Sequence, residues 1–185
     1  MKSNPFLKLT FLIAALSLAS QLNAEEVGLA VGEKAAPFKL NNQAGEKVSL
    51  DQLTAENGTV ALVFYRSADW CPYCKNQVAA LEENRATLEA AGITLVGISY
   101  DSVKVIERFS KEKSIGFTML SDPGSNTIDA YKIRNTKVRP GRAEGIPHPT
   151  IFLVNGEGII TAKLREENFR ERPTIEAIVA AAKGM

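Results

Sequence analysis

The chain is poor in the residues that most often carry chemistry. Its 185 residues include two cysteines, one histidine and one tryptophan. One histidine and two cysteines cannot supply the four protein ligands of a Cys/His zinc site. Two cysteines cannot staple a small disulfide-rich scaffold either. A charge excess of one sign is also missing: 22 Lys and Arg stand against 21 Asp and Glu, a formal net charge of +1. Nucleic acid is therefore not an expected partner. The apolar run Leu9–Ala19 has eleven residues, short of the ~20 that span a bilayer, so no stable membrane anchor is expected. What remains is ordinary: 45% hydrophobic and 23% charged residues, as in a globular protein of one domain.

The first residues read as an address. Lys2 and Lys8 precede the apolar run, and Leu22-Asn23-Ala24 precedes Glu25-Glu26. This is the layout of a secretory signal peptide cleaved after Ala24. The chain thus divides into a 1–24 leader and a 25–185 domain, exported, with the bacterial periplasm as the expected compartment. That compartment is oxidising, which favours disulfide chemistry.

The domain reads as α/β. Phe38–Leu40 and Lys47–Leu50 form an N-terminal hairpin around Asn41–Glu46. Thr59–Tyr65 is a β-branched and aromatic run suited to a strand buried on both faces. Helical spacing follows from Cys71 to Ala91, closed by Gly92. Ile93–Ser99 is a second buried strand, Ser102–Lys113 a helix, Gly116–Leu120 a short strand and Ser125–Tyr131 a short helix. Arg134–Gly145 is a basic loop. Thr150–Val154 and Ile159–Leu164 pair across Asn155-Gly156-Glu157-Gly158. Thr174 caps a last helix. This order predicts a central mixed sheet with helices on both faces.

The two cysteines are Cys71 and Cys74; chance gives two cysteines this spacing about 1% of the time. They fall where a strand and loop give way to a helix. A helix N-terminus offers unpaired N–H groups and partial positive charge. A thiol there is stabilised as thiolate, the nucleophilic form. At i+3, Cys74 shares the helix face and can resolve a mixed disulfide on Cys71. Pro72 suits the first turn, and Pro72-Tyr73 between the sulfurs tunes the potential. Arg66, five residues before Cys71, reads either as a thiolate-stabilising cation or as a surface loop residue. Trp70 reads as a docking platform or as loop packing. His148, between two prolines, reads as a proton shuttle facing the dithiol or as an ordinary loop histidine. Arg165–Arg172 reads as a solvated edge of ion pairs, with an arginine serving the site as the alternative.

Ala68-Asp69-Trp70-Cys71-Pro72-Tyr73-Cys74-Lys75 after a buried strand resembles the active site of the thioredoxin superfamily. His148-Pro149-Thr150 before a later strand looks like the superfamily's cis-Pro-Thr. The stretches Val31–Leu40, Val96–Ser99, Leu120–Asp122 and Phe169–Thr174 are similar to the redoxin branch: the alkyl hydroperoxide reductase and thiol-specific antioxidant family, or peroxiredoxin-like proteins. The resemblance implies a thioredoxin-like fold, a redox-active Cys71–Cys74 pair, a cis Pro149 and His148 against the dithiol. No cofactor is expected. Two departures stand out. The peroxiredoxin pattern P-x-x-x-T-x-x-C finds Arg66 after Phe64-Tyr65 in place of Pro, and no Thr or Ser three before either cysteine. The buried Asp of thioredoxins, six before the first Cys, is Tyr65.

The leading expectation is an exported thiol–disulfide oxidoreductase acting on protein or small-molecule disulfides and thiols, with a redox partner protein. A peroxiredoxin-like thiol peroxidase is the first alternative. The second is a soft-metal module holding Cu(I) on Cys71, Cys74 and His148.

Overall fold

In a computed structural model, which describes residues 27–184, the chain folds around one seven-stranded mixed sheet. The strands are β1 (Lys39–Asn42), β2 (Lys47–Ser49), β3 (Thr59–Phe64), β4 (Ile93–Ser99), β5 (Thr118–Ser121), β6 (Thr150–Asn155) and β7 (Ile160–Leu164), in spatial order β2-β1-β5-β4-β3-β6-β7. The central β3, β4 and β5 run parallel, while β6 and β7 on one side and β1 and β2 on the other are antiparallel. The helices are α1 (Leu50–Glu56), α2 (Pro72–Glu83), α3 (Arg85–Ala90), α4 (Val103–Lys113), α5 (Asn126–Ala130) and α6 (Ile175–Lys183).

Strand alternation builds two cores from β3. Ala61, Val63 and Tyr65 face a cluster with residues of α2, α3, α4 and α6. Val60, Leu62 and Phe64 face a second cluster with α1, α5 and the segment around Leu29 and Phe38. Side chains of consecutive strand residues point to opposite faces, so one continuous apolar run serves both layers. The expected mixed sheet with helices on both faces is present, and the N-terminal hairpin joins it through β5.

Several elements differ from the sequence reading: β1 runs on through Asn41 and Asn42, the start of the expected turn, and β5 covers Thr118–Ser121 rather than Gly116–Leu120. The sequence predicts strand through Leu50, yet the chain turns into α1 there. Ser49 and Gln52 form a capping box: Gln52 N–H donates to Ser49 Oγ at 3.3 Å, and Ser49 N–H donates to Gln52 Oε1 at 3.1 Å. The Ser-x-x-Gln signal was present in the sequence. The helix expected from Cys71 to Ala91 breaks at Asn84, whose side-chain amide donates to the Ala80 carbonyl at 2.9 Å. Asn competes for backbone groups in this way and ends helices. Helix Ser102–Lys113 and strands Ile93–Ser99 and Thr150–Val154 lie within a residue of their predicted bounds. The 1–24 leader lies outside the described residues, and no described helix is long and apolar enough to cross a membrane.

Candidate active site

The chain leaves β3 at Phe64, and the next ten residues carry the site. Tyr65 still fills the core, where burial pushes its hydroxyl far above the usual phenol range. Its ring fits because residue 97 of the neighbouring β4 is glycine; a Cβ there would sit 3.2 Å from Tyr65 Cε1. Tyr65 thus occupies the position of the thioredoxin Asp with an apolar body.

A buried carboxylate fixes the loop that follows. Asp101, just past β4, accepts hydrogen bonds from Ser67 Oγ (2.8 Å), Ala68 N–H (2.6 Å) and Ser99 Oγ (2.9 Å). Ser67 Oγ in turn accepts from Asp69 N–H at 3.0 Å. Burial raises the Asp101 pKa above the ordinary carboxylate range, and these donors oppose the rise. Such a group tolerates burial only while its acceptor capacity is filled.

The loop delivers Cys71 to the N-cap of α2. Its Sγ accepts from Cys74 N–H at 3.2 Å, and Pro72 occupies the first turn. Cys71 and Cys74 are joined as a disulfide, and both are fully buried. A guanidinium reaches each sulfur. Arg66 Nη2 lies 3.3 Å from Cys71 Sγ, and Arg172 Nη2 lies 3.6 Å from Cys74 Sγ. Burial lowers the pKa of Arg66. Burial and, secondarily, the charge of Arg66 bring that of Arg172 down to about 10. Arg66 sits 4.5 Å from the Phe169 ring centroid and 5.6 Å from that of Trp70. Arg172 is fixed by Gln77 Oε1 (2.7 Å) and the Phe169 carbonyl (2.6 Å).

Of the expected neighbours, Arg66 is a cation at the sulfur rather than a surface residue. Trp70 is half-buried: its indole N–H donates to Tyr100 Oη at 2.8 Å, and Tyr100 donates to the Arg142 carbonyl at 2.6 Å. Asp69 beside it pairs with Arg108 (2.8 Å) and Arg142 (3.0 Å). Trp70 therefore clamps the basic loop to the active-site loop. Tyr73 is exposed and meets Phe169 edge-on, ring centroids 6.2 Å apart.

The expectation for His148 is corrected. It lines a separate cleft of about 950 Å³ with Gly28, Lys132, Lys137, Arg165 and Glu167. Strand alternation explains the separation: Phe152 and Val154 of β6 face the cluster opposite to the dithiol's, and His148 keeps their parity. Its backbone N–H donates to the Ile133 carbonyl at 2.7 Å. Burial, then the charges of Arg165 and Lys137, lower its pKa. The His148–Pro149 bond is trans; no cis bond occurs among the described residues. Trans is the intrinsically favoured isomer even before proline. Cys71, Cys74 and His148 are thus not assembled as one ligand set for Cu(I), and no group of three metal-binding side chains exists among the described residues. Arg172 is the residue that sequence reasoning left unassigned, hidden in a mixed-charge run; its one signal was its place just ahead of the Thr174-capped helix.

This is the dithiol site of a thioredoxin-like redox protein: strand, pinned loop, and two cysteines at a helix N-terminus. Residues 31–163 match the model of the AhpC/TSA family, and the chain belongs to that family. It is 30% identical to peroxiredoxin Bcp of Escherichia coli K12 over 132 residues, which cover 71% of this chain and 83% of that protein. It is 28% identical to the thiol-disulfide oxidoreductase ResA of Halalkalibacterium halodurans over 130 residues, which cover 70% of this chain and 65% of ResA. Among solved structures, peroxidoxin BcpB of Mycobacterium tuberculosis superposes with a TM-score of 0.72 at 19% identity, covering 86% of this chain and 98% of that one.

Proposed function

We propose that the protein is an antioxidant thiol peroxidase that cycles the Cys71–Cys74 disulfide. The carrying observation is the guanidinium of Arg66 on Cys71 Sγ, at the N-terminus of α2, in a chain of the AhpC/TSA family. Cation and helix end both favour the Cys71 thiolate. The thiolate attacks a hydroperoxide; the O–O bond breaks, Cys71 becomes a sulfenic acid, and an alcohol or water leaves with one proton. The Cys74 thiol then displaces the hydroxyl of the sulfenic acid as water, closing the disulfide. A dithiol reductant of thioredoxin type restores both thiols and is itself oxidised. Arg66 and the Cys74 N–H, both donors at Cys71 Sγ, take over the oxyanion stabilisation that the absent Pro and Thr of the peroxiredoxin pattern would support. The leader residues 1–24 support an exported location, where the cycle meets periplasmic reductants.

Stopped-flow oxidation of the reduced protein by hydrogen peroxide and by cumene hydroperoxide tests this. The expected rate exceeds that of a free thiol of equal pKa by at least about 100-fold, and Cys71→Ser removes it. A rate equal to the free thiol's overturns the peroxidase reading.

A second reading, thiol–disulfide exchange with protein disulfides, is favoured by the C-P-Y-C motif and by Arg66 and Ala68 in the loop where peroxiredoxins carry their Pro and Thr. A mixed disulfide trapped in Cys74→Ser, together with peroxide inertness, selects it.

A further inference from the structure

Each sulfur of the disulfide has its own guanidinium. Arg66 Nη2 lies on Cys71 Sγ, and Arg172 Nη2, at 3.6 Å, is the one hydrogen-bond donor on Cys74 Sγ among the described residues. The other edges of the Arg172 guanidinium are occupied. Its Nε donates to Gln77 Oε1 at 2.7 Å, and its Nη1 to the Phe169 and Glu171 carbonyls at 2.6 and 2.5 Å. All three acceptors are neutral, so they fix the planar fork without cancelling its charge. What they leave over is the Nη2 edge, and it meets the sulfur.

The titratable groups around this contact are engaged elsewhere. Glu171 Oε1 accepts from Asn168 Nδ2 at 2.7 Å, and the Glu176 carboxyl is held low by its own backbone N–H and by Thr174 at the start of α6. Neither forms an ion pair with Arg172, nor does any other acid among the described residues. On α2, Tyr73 and Lys75 flank Cys74 in the chain without donating to its sulfur. The buried Tyr65 hydroxyl, in the same core cluster, has no hydrogen-bond partner. The nearest further charge is Arg66, which together with burial brings the Arg172 pKa down. No carboxylate or imidazole is in place to take a proton from Cys74. A disulfide sulfur is only a weak acceptor. A thiolate in its place turns the contact into a charge-assisted bond of about twice the strength. The guanidinium is thus placed for a form of Cys74 that exists only after reduction.

We propose that Arg172 holds Cys74 as the thiolate, so that the resolving sulfur attacks already ionised and needs no general base. While Cys71 is itself a thiolate, like-charge repulsion opposes this ionisation. Once Cys71 is a sulfenic acid that opposition is gone. The Cys74 proton passes to solvent, Cys74 Sγ attacks Cys71 Sγ, the S–S bond forms and the S–O bond breaks. Cys74 is oxidised, the sulfenic sulfur is reduced, and the hydroxide takes a proton from solvent and leaves as water. With a mixed disulfide on Cys71, the same attack expels the substrate thiolate. The proposal rests on the resolving role of Cys74, which peroxide reduction and disulfide exchange share, and not on either oxidant.

The reduced Cys71→Ser protein tests it, because Cys74 is then the one thiol and the serine hydroxyl is as uncharged as a sulfenic acid. Thiolate absorbance against pH is expected to place the Cys74 pKa about one unit or more below the ordinary ~8.5 of a free thiol. Adding Arg172→Gln is expected to cut the thiolate-to-thiol ratio at a fixed pH by about tenfold, which is one pKa unit. Adding Arg66→Gln instead is expected to cut it by less, since Arg66 sits on the other sulfur. In the wild-type protein, dithiodipyridine releases one thiopyridone as Cys71 attacks it and a second as Cys74 displaces the mixed disulfide. The second release is expected to have its pH midpoint at the Cys74 value. A Cys74 pKa at or above the ordinary thiol value in Cys71→Ser, or a second release with its midpoint there, overturns the proposal. Neither measurement needs an Arg172 variant, so both stand even if that variant fails to fold. A thiolate ratio unchanged by Arg172→Gln, or changed as much by Arg66→Gln, overturns the assignment of Arg172 to Cys74. No peroxide enters these experiments, so a failed peroxidase assay and a failed thiol titration remain separate results.

Discussion

Two cationic regions lie at the same end of the sheet, on opposite faces, and they do different things. On one face Arg66 and Arg172 close over a buried disulfide, held by rings, carbonyls and Gln77. On the other, Lys132, Lys137 and Arg165 line an open cleft around the one histidine. Both contain groups suited to thiol chemistry, but only the first touches sulfur. Proximity in the fold therefore depends on strand parity more than on residue type. Thr150 of β6 is paired with Phe64, the last residue of β3, yet His148, two residues earlier, reaches the far face.

The strongest way to break this contrast is to release the loop that carries the first face. Asp101→Ala removes the acceptor of Ser67 Oγ, Ala68 N–H and Ser99 Oγ. Leaving buried donors unpaired costs about 2–4 kcal/mol, so urea unfolding is expected to show that loss, together with slower reaction at Cys71. A variant of wild-type stability would show that the loop is held by other contacts.

Next in size is the charge at the sulfur. Arg66→Gln keeps a polar side chain and removes the cation. Alkylation of the reduced protein by iodoacetamide, at a pH below the wild-type Cys71 pKa, is expected to slow by about tenfold, following the lost thiolate fraction.

The smallest effect concerns the other face. The fold lowers the His148 pKa, so below the ordinary value near 6.5 the unfolded chain binds more protons than the folded one. Stability at this residue is therefore full above that value. It declines as the pH falls through it, and levels off below the folded pKa. His148→Gln is expected to flatten the urea-unfolding midpoint between pH 7 and pH 5 and to leave Cys71 alkylation unchanged. A slowed alkylation in His148→Gln would place the imidazole back in the site.

The sequence carried the parts of this picture that depend on local pattern. The run Thr59–Tyr65 could only be a strand buried on both sides, and C-x-x-C ahead of helical spacing marked both sulfurs. Ser-x-x-Gln at Ser49 marks a helix start, and the strand ends at that serine. The remaining parts depend on distant pairings. Arg172 lies 98 residues from the Cys74 it contacts, in a run whose acids would neutralise it on a bare surface. Asp101 follows a buried strand and gives no sign from its neighbours that it accepts from the loop 33 residues earlier. His148 reads as a site residue only through the resemblance of His148-Pro149-Thr150 to the superfamily's motif; the alternation that removes it is set by the register of β6 on β3.

The central claim is that Arg66, not His148, sets the reactivity of Cys71. The direct test is the pKa of the Cys71 thiol, from thiolate absorbance against pH, in the reduced wild type, Arg66→Gln and His148→Gln. The wild-type value is expected well below the ordinary ~8.5 of a free thiol, with Arg66→Gln about one unit higher and His148→Gln equal to wild type. An unshifted Arg66→Gln, or a His148→Gln raised as far as expected for Arg66→Gln, would contradict the account.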